Sequence, residues 1–104
     1  MELTSVHYNT ERQERHTFIK EQIGEGNIID SFVVDRGHPD GPEIHSVTDT
    51  ALIIIHNQRT NKLVTTLIAR PEQLRRLYRA EDRRVPRSVL SLAYKHNIIR
   101  YNEI

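Results

Sequence analysis

The chain has 104 residues, 37% hydrophobic and 28% charged, with no cysteine and no tryptophan. That suits one domain with a modest aliphatic core and excludes a disulfide scaffold, a zinc knuckle or a thiol nucleophile. Its formal net charge of +1 hides a split, with residues 1–49 at −6 (four bases, ten acids) and residues 50–104 at +7 (eleven bases, four acids).

Thr10 followed by Gln13 matches a capping box, which predicts a helix from about Glu11. Phe18, Ile19 and Ile23 give it a narrow apolar stripe, and Gly24 and Gly26 end it. The β-branched and aromatic run from Ile28 to Asp35 predicts a strand. Arg36-Gly-His-Pro-Asp-Gly-Pro42 is a loop, because Gly and Pro interrupt it at every second or third residue. A strand entered by His45 follows, and then two apolar β-runs, Ala51–Ile55 and Leu63–Ala69. These flank the polar stretch His56–Lys62, in which Asn61 suits a left-handed turn position. They read as a hairpin at the centre of the sheet. Pro71 opens a helix with Leu74, Leu77 and Tyr78 on its apolar side. A second helix starts at Pro86, with Val89, Leu90, Ala93 and Tyr94 at helical spacing. Asn97 is expected to stop it, leaving Ile98–Tyr101 for a last strand. The whole chain, 1–104, is therefore expected to be a single α+β domain. It has an N-terminal helix, a three- to four-stranded antiparallel sheet with a central hairpin, and two C-terminal helices.

Nine of the eleven downstream bases are arginines, and six of those lie between Arg75 and Arg87. Arginine presents a rigid fork of donors that matches phosphate or carboxylate, so such a stripe attracts polyanions, RNA and DNA foremost. A solvated helix face explains the same arginines equally simply.

Proton transfer near neutral pH points to histidine, and of six histidines His45 has the most suggestive setting. It follows the Gly/Pro loop and enters a strand, where a side chain is both held and reachable; His38, inside the loop, comes second. His56 shares a face with Leu52 and Ile54 and reads as a core or hairpin-end histidine. Alternation places Val64, Thr66, Ile68 and Arg70 on one face, with Arg70 and Gln73 directed at the strand–helix junction. A hydroxyl, a guanidinium and an amide at a helix start can hold a phosphate, although Thr66 also reads as a β-former and Arg70 as a capping residue. No metal-ligand spacing, glycine-rich phosphate loop or nucleophile elbow is present. No metal or cofactor is expected, which leaves metal-independent RNA cleavage open.

The stretch His45–Gln73, HSVTDTALIIIHNQRTNKLVTTLIARPEQ, resembles the superfamily of small metal-independent ribonucleases that joins barnase, EndoU-type toxins, the colicin D nuclease and RelE, with phage-encoded members. The resemblance implies an N-terminal helical part packed on a four-stranded antiparallel sheet, with the active site on the sheet's open face. It also implies His45 as general acid or base, with Thr66 and Arg70 supplying a hydroxyl and a phosphate-binding cation and Lys62 a further cation. On this reading Arg75, Arg76, Arg79 and Arg83 hold flanking backbone, with His38 and Gln73 assisting at the phosphate.

Two other readings explain the same residues. The arginines can serve a non-catalytic phage or plasmid accessory protein that binds nucleic acid or inhibits a host protein. The acidic and basic halves can also pair between copies to make a homo-oligomer. No apolar run approaches the ~18–20 residues that span a bilayer. The start Met1-Glu-Leu-Thr lacks a signal-peptide pattern, so a cytoplasmic setting with no membrane partner is expected.

Overall fold

The structure, a computed structural model, describes Ile19, Ile23, Gly24 and residues 26–102, with side chains through Ile98. The helix predicted from Glu11 lies outside the described residues. Four strands form one antiparallel meander in the order β1-β2-β3-β4: β1 is Ile28–Val34, β2 Glu43–Thr48, β3 Leu52–Asn57 and β4 Leu63–Ile68. Two helices follow, α1 (Pro71–Arg79) and α2 (Arg87–Asn102). The domain is α+β, as the sequence predicts. Among the described residues, no helix is long and apolar enough to cross a membrane.

Register fixes which side chains share a face. Phe32 lies opposite His45 and Asp30 opposite Val47; His45 in turn faces Ile55, and Val47 faces Ile53. Directly paired residues point the same way, so these side chains share one surface with Leu67, the partner of Ile53. Against it α1 lays Leu74 and Tyr78, and α2 lays Val89 and Ala93. Each helical pair is four residues apart and so falls on a single face. Phe32 and Tyr78 meet edge to face at 4.8 Å between ring centroids. On the reverse surface, Leu52 and Ile68 pack with Ile19 and Ile23.

The loop Asp35–Pro42 is irregular as predicted, and Asn61 takes the expected left-handed conformation at φ 58°. Gly26 has φ 70°, and a Cβ there would stand 2.2 Å from an Asp49 carboxylate oxygen. Glycine is therefore needed at that position twice over. The carboxylate of Asp49 accepts from the Asn27 amide at 2.8 Å, which ties the start of β1 to the β2–β3 turn.

Two expectations are corrected. The β3–β4 hairpin is not central: β2 and β3 occupy the middle of the sheet and β4 is an edge strand. Its near-continuous apolar pattern arises because both its faces are covered, one by the helices and the other by Ile19 and Ile23. The second helix does not stop at Asn97, and no strand forms at Ile98–Tyr101; α2 continues to Asn102. The Asn97 amide donates to the Ala93 carbonyl one turn back (2.7 Å) and to the Ala69 carbonyl beyond β4 (3.0 Å). A polar side chain satisfied in this way has no need to end the helix.

Candidate active site and arginine surface

His45 is buried, with 5% of its surface exposed. Glu43 precedes it by two residues in the same strand, and this period-2 spacing brings the two side chains onto one face. His45 Nε2–H donates to Glu43 Oε1 at 3.1 Å. A carboxylate only accepts, so it is Nε2 that carries a hydrogen in this bond. Nδ1 has no hydrogen-bond partner, and no buried polar side-chain atom among the described residues lacks one. His45 lines a cleft of about 340 Å3.

The other walls of that cleft are Val34, Arg36, Ile53, Leu67, Gln73, Arg76 and Leu77. Arg36 comes from the loop after β1 and Arg76 from α1, so two guanidiniums from separate elements border one imidazole. Neither has an ion-pair partner among the described residues. Gln73 is third in α1, and its Oε1 accepts from the Arg70 amide at 2.9 Å. That is half of a capping box, and it leaves the Gln73 amide N–H groups for the cleft. An imidazole, two guanidiniums and an amide in a partly apolar recess can hold a tetrahedral anion and exchange one proton with it.

The trio expected from the sequence does not converge. Thr66 pairs with Ile54, which places it on the sheet face opposite His45. Arg70 does not border the cleft, although Leu67 and Gln73 on either side of it do, and it follows Thr65, the residue in line with Ile55 and His45, by five residues. Arg70 is exposed and serves as the N-cap of α1 through its backbone. His38 and Lys62 are both exposed, His38 in the β1–β2 loop and Lys62 beyond Asn57, and neither borders the cleft. The face that carries His45 is the helix-packed one, whereas the ribonuclease resemblance implies an open sheet face. Sequence reasoning missed Glu43 and Arg36. Strand alternation alone could have supplied Glu43; Arg36 needed the β1–β2 pairing.

A second cavity, about 400 Å3, lies between α1 and the segment leading into α2 and is lined by Arg75, Arg79, Asp82, Arg83, Arg84, Val85 and Leu90. Its arginines are not equivalent. Arg83 donates to Asp30 at 2.7 Å and to Glu81 at 3.4 Å, and its guanidinium lies 5.3 Å from the Tyr78 ring centre and 5.8 Å from that of Phe32. Arg75 donates to the Tyr94 hydroxyl at 2.8 Å and lies 5.7 Å from its ring centre. Arg76, Arg79 and Arg84 are exposed and have no ion pair among the described residues.

Asp30 also accepts from the Tyr78 hydroxyl, which closes a Tyr78–Asp30–Arg83 cluster. Burial alone would raise the Asp30 carboxyl, but its bonds from Tyr78 and Arg83 outweigh that and hold it below the ordinary carboxylate value. Burial, reinforced by the Asp30 charge, pushes the Tyr78 phenol well above its ordinary value. Burial lowers His96, whose bond to the Thr50 carbonyl at 3.1 Å only partly offsets the effect. No group of three or more metal-ligating side chains occurs among the described residues.

The chain folds as an α+β meander with two helices packed on one face. Comparison with protein-family models, curated proteins and solved structures finds no match.

Proposed function

We propose that this protein binds RNA and cleaves it without a metal at the His45 cleft. The observation that carries the reading is His45, bonded through Nε2 to Glu43 and lining one cleft with Arg36 and Arg76. Nδ1 takes the proton of the attacking 2′-hydroxyl. The 2′-oxygen bonds to phosphorus as the bond to the 5′-oxygen breaks, and that oxygen takes a proton from solvent. Arg36 and Arg76 hold the charge that builds on the phosphate, and Gln73 orients it. Arg79 and Arg84 engage flanking backbone, while Arg83 is committed to Asp30 and Arg75 is held against Tyr94.

The test is incubation of the purified protein with total RNA in a chelator. Fragments ending in 2′,3′-cyclic phosphate are expected, and His45→Gln should abolish them while RNA binding persists. Cleavage by that variant at the wild-type rate would refute the mechanism. A second reading, non-catalytic binding of nucleic acid or of an acidic host protein, is favoured by the unpaired Arg79 and Arg84 lying outside the His45 cleft. RNA that is shifted on a gel but left intact would select it.

A further inference from the structure

The second cavity, between α1 and the segment leading into α2, shares no lining residue with the His45 cleft. Local backbone chemistry builds it. The Asp82 amide donates to the Arg79 carbonyl and the Arg83 amide to that of Tyr78, both at 2.9 Å. These are the paired bonds of a Schellman ending, and they turn the chain back beside α1. Asp82 takes the left-handed conformation, φ 56°, that such an ending requires and that glycine usually fills. Arg75 and Arg79, four residues apart, lie on one side of α1, while Arg83 and Arg84 come from the returning segment. Arg75 is braced by the hydroxyl and ring of Tyr94, and Arg83 by Asp30 and Glu81. Arg79 and Arg84 form no ion pair among the described residues. Two fixed guanidiniums thus stand beside two uncommitted ones.

We infer that this cavity is a binding site for a phosphomonoester, carried by a free mononucleotide or by the phosphorylated end of a nucleic-acid strand. Charge makes the choice. The wall holds four guanidiniums and one carboxylate, that of Asp82. Asp30 meets the charge of Arg83 and Asp82 offsets one other, so two positive charges remain. A phosphomonoester carries about −1.5 to −2 at neutral pH, whereas a backbone diester carries a single charge. Guanidinium forks from two elements suit its three free oxygens. The start of α2 has no acid in its first turn, so its positive end favours the same anion. At about 400 Å3 the cavity is of small-ligand size, and Val85 and Leu90 give an apolar wall for the group that bears the phosphate. The site does not require cleavage at His45; where RNA is the ligand, the cavity takes its phosphorylated end.

Calorimetric titration of the whole protein with adenosine 5′-monophosphate tests the site. The monophosphate should bind about tenfold or more tightly than its methyl ester, a diester with one charge fewer. Combining Arg79→Gln with Arg84→Gln should weaken binding about tenfold or more. Both arginines are exposed, so the urea midpoint of that variant should stay unchanged. Asp82→Asn, which also accepts the left-handed conformation, should bind a few-fold more tightly. Arg76→Gln, in the other cleft, should leave the affinity as it is. A five-nucleotide DNA strand, which has no 2′-hydroxyl to attack, separates the sources. Tighter binding with a 5′-phosphate than with a 5′-hydroxyl, lost in the Arg79/Arg84 variant, assigns the strand end; no such gain, with the monophosphate still bound, assigns the free nucleotide. Equal affinity for the monophosphate and its methyl ester, or no binding of either, would overturn the inference. So would binding lost in Arg76→Gln but kept in the Arg79/Arg84 variant, which would send the anion to the His45 cleft. Because binding rather than cleavage is read, an absence of RNA fragments would count against the His45 mechanism alone.

Discussion

Asp30 is the residue on which most of the polar order near β1 depends, since it accepts from both Tyr78 and Arg83 and neutralises the latter. Replacing it by alanine strands a largely buried phenol, so Asp30→Ala should lose about 1–2 kcal/mol of stability in urea unfolding at neutral pH. The pH dependence follows from linkage. A carboxyl lowered in the fold stabilises fully above its unfolded value, near 3.8. That stability is lost as pH falls through the folded value, so the gap between wild type and Asp30→Ala should narrow below about pH 4. A phenol raised in the fold behaves oppositely: its stabilisation is intact below its unfolded value of 10.0 and declines above it. A gap that stayed constant across the acid range would show that the cluster contributes nothing through charge.

At the scale of elements, α2 is held by a polar tie as well as by its apolar face. Val89 and Ala93 bury that face, while Asn97 reaches from within the helix to the Ala69 carbonyl. Asn97→Ala should keep the helical content, because alanine is the better helix former. It should nonetheless cost about 1 kcal/mol in urea unfolding by leaving the Ala69 carbonyl without that donor; an unchanged midpoint would make the tie incidental. The same residue shows why the sequence misplaced the end of α2. Asparagine ends helices when its side chain competes for nearby backbone, and here that side chain is occupied with a carbonyl from another element. The helix start at Pro71 and the left-handed Asn61 were legible because both depend on local backbone sterics alone.

For the molecule as a whole, the proposed function makes the positive half a binding surface only where its arginines are free. Arg83 is committed to Asp30 and Arg75 is held against Tyr94, whereas Arg76, Arg79 and Arg84 form no ion pair among the described residues. If these three each neutralise one phosphate of single-stranded RNA, log Kd should rise with log salt at a slope of about 2. Arg79→Gln should reduce that slope by about 0.7, and Arg83→Gln should leave it unchanged while lowering stability. Equal effects of the two substitutions would contradict the distinction between free and committed arginines.

Local pattern was enough to establish the α+β class, a run of three to four strands, the positions of both helix starts and the polarity of charge. Each of these follows from the periodicity, turn chemistry or composition of a short stretch. It also drew attention to His45, which the fold buries beside Glu43. Which cations accompany that imidazole was decided only by tertiary pairing. Register sends Thr66 to the opposite face and Arg70 some five residues past the row of His45, while the β1–β2 loop and α1 bring in Arg36 and Arg76. The reason is that alternation along one strand says which residues share its faces, but not which face the helices cover or which strands become neighbours.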